Sequence, residues 1–157
     1  MNSTFIEVAV AKFFGYRQNL IVPNVSWGFH FKHELDLMVV SGNGYATEVE
    51  IKISNGDLKR DKDKRHQHES NKIKNFYFAV PEKMRDFALA NIPVHAGLIT
   101  VTEIAEVTKV RYPKPNKSAV KLTDSEMNLL RDLGCMRIWS LKEKLIQALD
   151  KRYMRKE

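Results

Sequence analysis

ELDLMVVSGNGYATEVEIKIS, residues 34–54, decides how the rest of the chain is read. Its second half alternates as a strand does. Val49, Ile51 and Ile53 point one way and suit a core, while Glu48, Glu50 and Lys52 point the other. Its first half completes an earlier strand, read over residues 29–40. Between the two, Gly42-Asn43-Gly44 fits a three-residue hairpin loop with glycine at the left-handed final position. That loop sets Leu35 opposite Ile51 and Leu37 opposite Val49, a shared apolar face. On the other face Asp36 falls beside Glu50, Glu34 beside Lys52 and Met38 beside Glu48. A two-residue loop would instead place Asp36 against a core valine.

Carboxylates directly across a strand pair lie about 4.5–5.5 Å apart at Cβ and repel one another. A solvated outer face is the plain reading of such a surface. A divalent cation offers a stronger one, because Mg²⁺ takes one or two carboxylates together with waters and phosphate oxygens. Lys52, one step along the same face from Glu50, then stands where it can hold an attacking water or offset charge developing on phosphorus. The charged face is therefore read as a metal-dependent phosphodiesterase site.

ELD, a glycine-containing turn and then EIK resembles the PD-(D/E)xK nuclease superfamily, which has a restriction-endonuclease-like fold. Asp36 matches the isolated acid, Glu50 the acid of the paired motif and Lys52 its lysine. EIKISNGDLKRDK followed by NFYFAVP is similar to small bacterial and phage-type members, some linked to DNA repair. The resemblance covers roughly residues 30–101. Leu35 stands where many members have proline, and the Gln-x-x-x-Tyr element of the exonuclease-like branches is missing. What it implies is a DNA endonuclease using Mg²⁺, with Mn²⁺ as a substitute, that leaves a 5′-phosphate. Asp36 and Glu50 would bind the metal, and Glu7 would join them, as a first-helix glutamate does in several branches. Roles in repair, recombination or phage DNA processing fit equally.

Outward from this hairpin the chain alternates helix and strand signals. Residues 4–14, TFIEVAVAKFF, carry a helical apolar stripe, with Ser3 or Thr4 as N-cap. After the charged strand, DLKRDKDKRHQHES (57–70) is polar nearly all round and reads as a helix capped by Ser54 or Asn55. Lys64, Arg65 and His68 on it are the expected phosphate contacts. NFYFAVP (75–81) is a short apolar strand, EKMRDFALAN (82–91) a helix, HAGLITV (95–101) a buried strand and EVTKVRY (106–112) an edge strand.

PKPNKSA (113–119) reads as a boundary between a nuclease-like core, 1–112, and a basic helical extension, 113–157, packed on it as one overall domain. In that extension Thr123 and Glu126 form a capping box, Gly134 ends the first helix, and a second follows. The fold class is α/β (α+β): a mixed central sheet flanked by helices, with a C-terminal helical pair.

The length suits one domain with a real core. The single cysteine, Cys135, excludes an internal disulfide, and the spacing of His30, His33, His66 and His68 does not make a zinc site. No apolar run approaches the ~20 residues of a membrane span, and the N-terminus lacks a secretory pattern, so the expected setting is the cytoplasm of a bacterial or phage-infected cell. Net charge is +7. Residues 1–108 balance 13 Lys/Arg against 13 Asp/Glu, whereas residues 109–157 hold 13 against 6. Such asymmetry fits a polyanionic partner, DNA or RNA. A homodimer is compatible with this reading. The rival is a non-catalytic nucleic-acid- or protein-binding chain on the same scaffold.

Overall fold

A computed structural model describes residues 1–26, 28, 29, 31, 33–62 and 70–153. The elements run α1 (Ser3–Phe13), β1 (Leu20–Val25), β2 (Leu35–Val40), β3 (Ala46–Ile51), α2 (Asn55–Lys62), β4 (Ile73–Pro81), a 3₁₀ turn (Glu82–Met84), α3 (Arg85–Asn91), β5 (Gly97–Val101), β6 (Val107–Arg111) and α4 (Asp124–Tyr153). The strands form one six-stranded sheet in chain order. Pairing is antiparallel from β1 to β3, parallel from β3 to β5 and antiparallel again to β6. This is the mixed α+β sheet with flanking helices that the sequence predicts.

One face of the sheet carries Leu37, Val39, Val49, Ile51, Tyr77, Ala79, Ile99 and Val101, and α1 covers it with Ile6, Ala9 and Val10. The other face has two apolar clusters. Met38, Val40 and Ala46 pack with Leu130 and Leu133 of α4. Phe76, Phe78, Val80 and Leu98 pack with Leu58 of α2 and with Met84 and Ala88. β3 runs between the two clusters, so its side chains on that face sit on the seam.

The hairpin register is as expected where it can be compared. Leu37 pairs with Val49 and Met38 with Glu48, and Gly44 has φ +82°. Four expectations are corrected. The six-residue strand Leu20–Val25 has no counterpart among the strands expected from the sequence; as the edge strand, β1 tolerates Pro23. The strand expected over 29–40 begins only at Leu35. α1 is capped by Asn2, whose Oδ1 accepts the Phe5 N–H at 2.8 Å, not by Ser3 or Thr4. The expected C-terminal helical pair is a single helix of 30 residues.

Gly134 does not end α4. A Cβ there would lie 3.4 Å from Val22 Cγ2, at van der Waals contact with β1, and the helix runs through the glycine despite a propensity cost of about 1 kcal/mol. The capping box at its start is present: Glu126 Oε2 accepts the Thr123 N–H at 2.8 Å, and Thr123 Oγ1 accepts the Glu126 N–H at 3.2 Å. The segment before it is laced to the body by backbone bonds from Lys114 to His95, Asn116 to Lys74, Val120 to Asn71 and Leu122 to Gly44.

Candidate active site

Glu48, Glu50 and Lys52 are buried, with 1%, 5% and 5% of their surfaces exposed. A solvated outer face is thereby ruled out as their environment. Alternation places them on the seam face of β3, where Glu48 neighbours Phe76 and Glu50 neighbours Phe78. Ile53, expected on the apolar face, is 42% exposed, because the strand ends at Ile51 before the chain turns into α2.

Charges held this deep require partners. Lys52 Nζ donates to Glu50 Oε1 at 2.7 Å. His33 Nε2 donates to Glu48 Oε1 at 2.9 Å. Low dielectric strengthens both contacts and makes loss of one partner costly. The Lys52 N–H also donates to Ala79 O at 3.0 Å, which fixes the lysine backbone beside β4. Two residues of chain separate this lysine from α2, where the Asp57 N–H donates to Ser54 Oγ at 3.2 Å, so Ser54 is the cap as expected.

Asp36 occupies a different position from the simple ladder expectation. Its Oδ2 accepts the Ile51 N–H at 2.7 Å, and is thus tied to the peptide that joins Glu50 to Ile51. The side chain fills a place where a carbonyl of β2 would normally sit. Alternation breaks at this point: Leu35 packs with Val25, Met38 and Val40 instead of with Leu37, a correction to the expected apolar face. Across from the break on β1, Asn24 holds φ +53°, and its Nδ2 donates to Glu34 Oε1 at 3.2 Å. Glu34 is exposed and pairs there, not beside Lys52 as its position in the sequence predicts.

Glu7 is half-buried on α1, and its pKa is raised by that burial first and by the nearby charge of Asp36 second. The expected trio of acids therefore falls into two linked parts: Glu7 with Asp36, and Asp36 with the Glu50 peptide. Lys64, Arg65 and His68, the expected phosphate contacts, lie outside the described residues.

Sequence reasoning missed His33. One ligand atom each from His33, Glu48 and Glu50 lie within 4.8 Å of one another. Carboxylate oxygens with one imidazole nitrogen suit a divalent cation, and the imidazole favours Mn²⁺ over Mg²⁺ relative to an all-oxygen set. No spacing signal reveals this group, because His33 precedes β2 and shares no strand with Glu48 and Glu50. A groove of about 550 Å³, lined by Lys74, Asn75, Phe76, His95, Lys114 and Asn116, opens at the start of β4, the end of that strand away from Glu50 and Lys52.

No family model and no curated protein matches this chain. Among solved structures it is similar to the SPO1766 protein of unknown function from Silicibacter pomeroyi, with a TM-score of 0.62 and 16% sequence identity, over 98% of this chain and 94% of that one. The likeness extends the fold, including α4, to a second protein. Among the described residues, no helix is long and apolar enough to cross a membrane.

Proposed function

We propose that this chain is a metal-dependent nuclease of the PD-(D/E)xK kind, hydrolysing phosphodiester bonds in DNA. The observation that carries the reading is the buried Lys52–Glu50 contact of 2.7 Å, with Asp36 anchored on the peptide that follows Glu50. The Lys52–Glu50 pair and the Asp36 bond lie on successive residues of the chain from Glu50 to Lys52, where β2 gives β3 a side-chain bond. A purely structural sheet gains little from three buried charges on one strand, since apolar residues of similar volume do as well or better.

Glu50 and Asp36 would hold the cation, with Glu7 beside Asp36 as a further oxygen ligand. When bound, a divalent cation supplies positive charge for phosphate oxygens and acidifies water. The protein groups have separable tasks. Glu50 aims the Lys52 ammonium. Lys52 donates N–H bonds to an attacking water or to a non-bridging phosphate oxygen, in a site where low dielectric strengthens such bonds. His33 and Glu48 form a second bonded pair on the same face, and they supply a mixed nitrogen and oxygen donor set with Glu50. The positive charge of residues 109–157 attracts a polyanion without selecting its sequence.

The test is cleavage of single-stranded, duplex, flapped and four-way DNA in Mg²⁺, Mn²⁺ or EDTA. Glu50→Gln and Lys52→Met proteins, checked for folding by circular dichroism, are run alongside. Metal-dependent cutting lost in both variants supports the nuclease. DNA binding without cutting in any metal, unchanged in the variants, favours the non-catalytic scaffold.

A further inference from the structure

The groove at the start of β4 is bordered by two segments that hydrogen bonds hold in place. One is the stretch 70–76, which leads into the strand, and the other is 114–118, which follows β6. The Asn116 N–H donates to Lys74 O at 2.8 Å, and Asn116 Nδ2 donates to the carbonyls of Ser70 and Ile73 at 3.2 Å each. The Lys114 N–H donates to His95 O at 2.8 Å, which ties the second segment to the turn before β5. The groove is therefore built before any ligand arrives, and binding in it needs little ordering of the chain. Its volume of about 550 Å³ is that of a small-ligand site.

Its lining has one sign of charge. Lys74 and Lys114 border it, and among the described residues none of the lining is Asp or Glu. The wall segment 113–122 adds Lys117 and Lys121 and carries no acid. Lys74 Nζ stands 3.6 Å from the centre of the Tyr45 ring, and Lys121 Nζ 5.7 Å from the same ring. Such a contact positions an ammonium without cancelling its charge. Beneath the charges the floor is apolar, with Ile73 and Phe76 only 3% and 5% exposed. His95 lines the groove with an exposed imidazole, its ring centre 6.4 Å from that of Phe76. Asn71 adds an exposed carboxamide.

We propose that this groove binds a nucleoside monophosphate unit, its phosphate on Lys74 and Lys114 and its base over the apolar floor beside His95 and Asn71. Each part of the lining has a counterpart in that ligand. Ammonium groups make charge-assisted bonds to phosphate oxygens. An imidazole stacks on a base, which every base accepts through its π-face. A carboxamide matches the donor and acceptor edge of adenine. An acidic peptide would satisfy the ammonium groups but would leave the floor and the imidazole without a planar partner. The site is separate from the buried charges, since it opens at the end of β4 away from Glu50 and Lys52, and it calls for no metal. Two sources offer the same chemistry: a free nucleotide, and an unpaired nucleotide within a strand.

The experiment is a titration of the nitrogen-labelled full chain, followed through its amide resonances, with deoxyadenosine 5′-monophosphate, a deoxyadenylate pentamer and pentaglutamate. EDTA is present throughout, so metal-dependent cutting plays no part and the result is independent of the nuclease reading. Shifts concentrated at Asn71, Lys74, Phe76, His95 and Asn116 are expected with the nucleotide probes and not with pentaglutamate. Equal affinity for monomer and pentamer identifies a free nucleotide, and a response to the pentamer alone identifies a strand; either supports the groove. Lys114→Gln, at an exposed position, is expected to weaken binding roughly threefold, and Lys74→Gln with Lys114→Gln roughly tenfold. Lys142→Gln makes the same charge change on α4 and should leave affinity unchanged. No shift in the groove at millimolar probe, an equal response to pentaglutamate, or an equal loss in Lys142→Gln would overturn the proposal.

Discussion

Asp36 Oδ2 lies 2.7 Å from the Ile51 nitrogen, so a side chain of β2 does the work of a backbone carbonyl in the ladder to β3. The contact gives Asp36 a structural duty besides any ligand duty, and substitutions separate the two. Asp36→Ala removes an ionised acceptor and strands the Ile51 N–H, at a cost of about 1.5–3 kcal/mol or roughly 3–12 °C in melting temperature. Asp36→Asn keeps an acceptor and should lose less than half of that. Both should abolish any rise in melting temperature caused by millimolar Mn²⁺. An Asn variant that keeps the full metal-induced rise sinks the ligand role.

The Lys52–Glu50 pair predicts a non-additive cycle. Lys52→Met leaves the Glu50 carboxylate buried without its ammonium and should cost about 3–5 kcal/mol in urea unfolding. Adding Glu50→Gln removes the stranded charge and should recover more than half of the loss. Cleavage should stay absent in the double variant. If the double variant is less stable than Lys52→Met, Glu50 is stabilised by other groups and the pair is not the unit described here.

Glu126 ties α4 to the start of β4. Burial alone would raise its pKa, but bonds from Lys72 and from Thr123 outweigh it, and the net shift is downward from 4.5. Lys72 Nζ lies 2.6 Å from Glu126 Oε1. A depressed folded pKa stabilises above the unfolded value and is lost as pH falls through the folded one. Glu126→Gln should therefore lower stability at pH 7, and the deficit should shrink below pH 4.5 as the wild-type carboxylate takes up its proton. A deficit that is the same at pH 7 and pH 3 would assign it to packing instead.

Gly28 packs against α4. Its φ is +87°, and a Cβ there would meet Leu129 Cδ2 of α4 at 2.1 Å. Gly28→Ala combines left-handed backbone strain, about 1–2 kcal/mol, with a clash that must displace Leu129. A loss of at least about 2 kcal/mol in denaturant unfolding is expected. An effect under 0.5 kcal/mol would mean that this segment and α4 are not held together as described.

Much of the central sheet was legible because its residues obey one rule at a time. Val49 and Ile51 alternate with Glu48 and Glu50, and Gly44 marks the turn that sets their register. Legibility failed where two demands met in one residue. Pro23 argues against a strand, yet it lies on an edge where a missing N–H costs little. Gly134 looks like a helix stop, yet α4 continues through it from Asp124 to Tyr153. Leu35 follows the alternation on paper, but the Asp36 side-chain bond to Ile51 breaks the pleat and sends it to the other cluster. His33 was not read as a partner of Glu48, since it lies before β2 and shares no periodic segment with β3.

One continuous helix thus experiences two environments. The amides of α4 before Arg137 are backed by the sheet, and those after it rest on helical hydrogen bonds alone within a single chain. In deuterated solvent the first set should exchange only when the whole domain opens, and the second through fraying from the C-terminal end. The boundary between slow and fast amides, falling within one turn of Arg137, is where the protein's global stability ceases to protect its backbone.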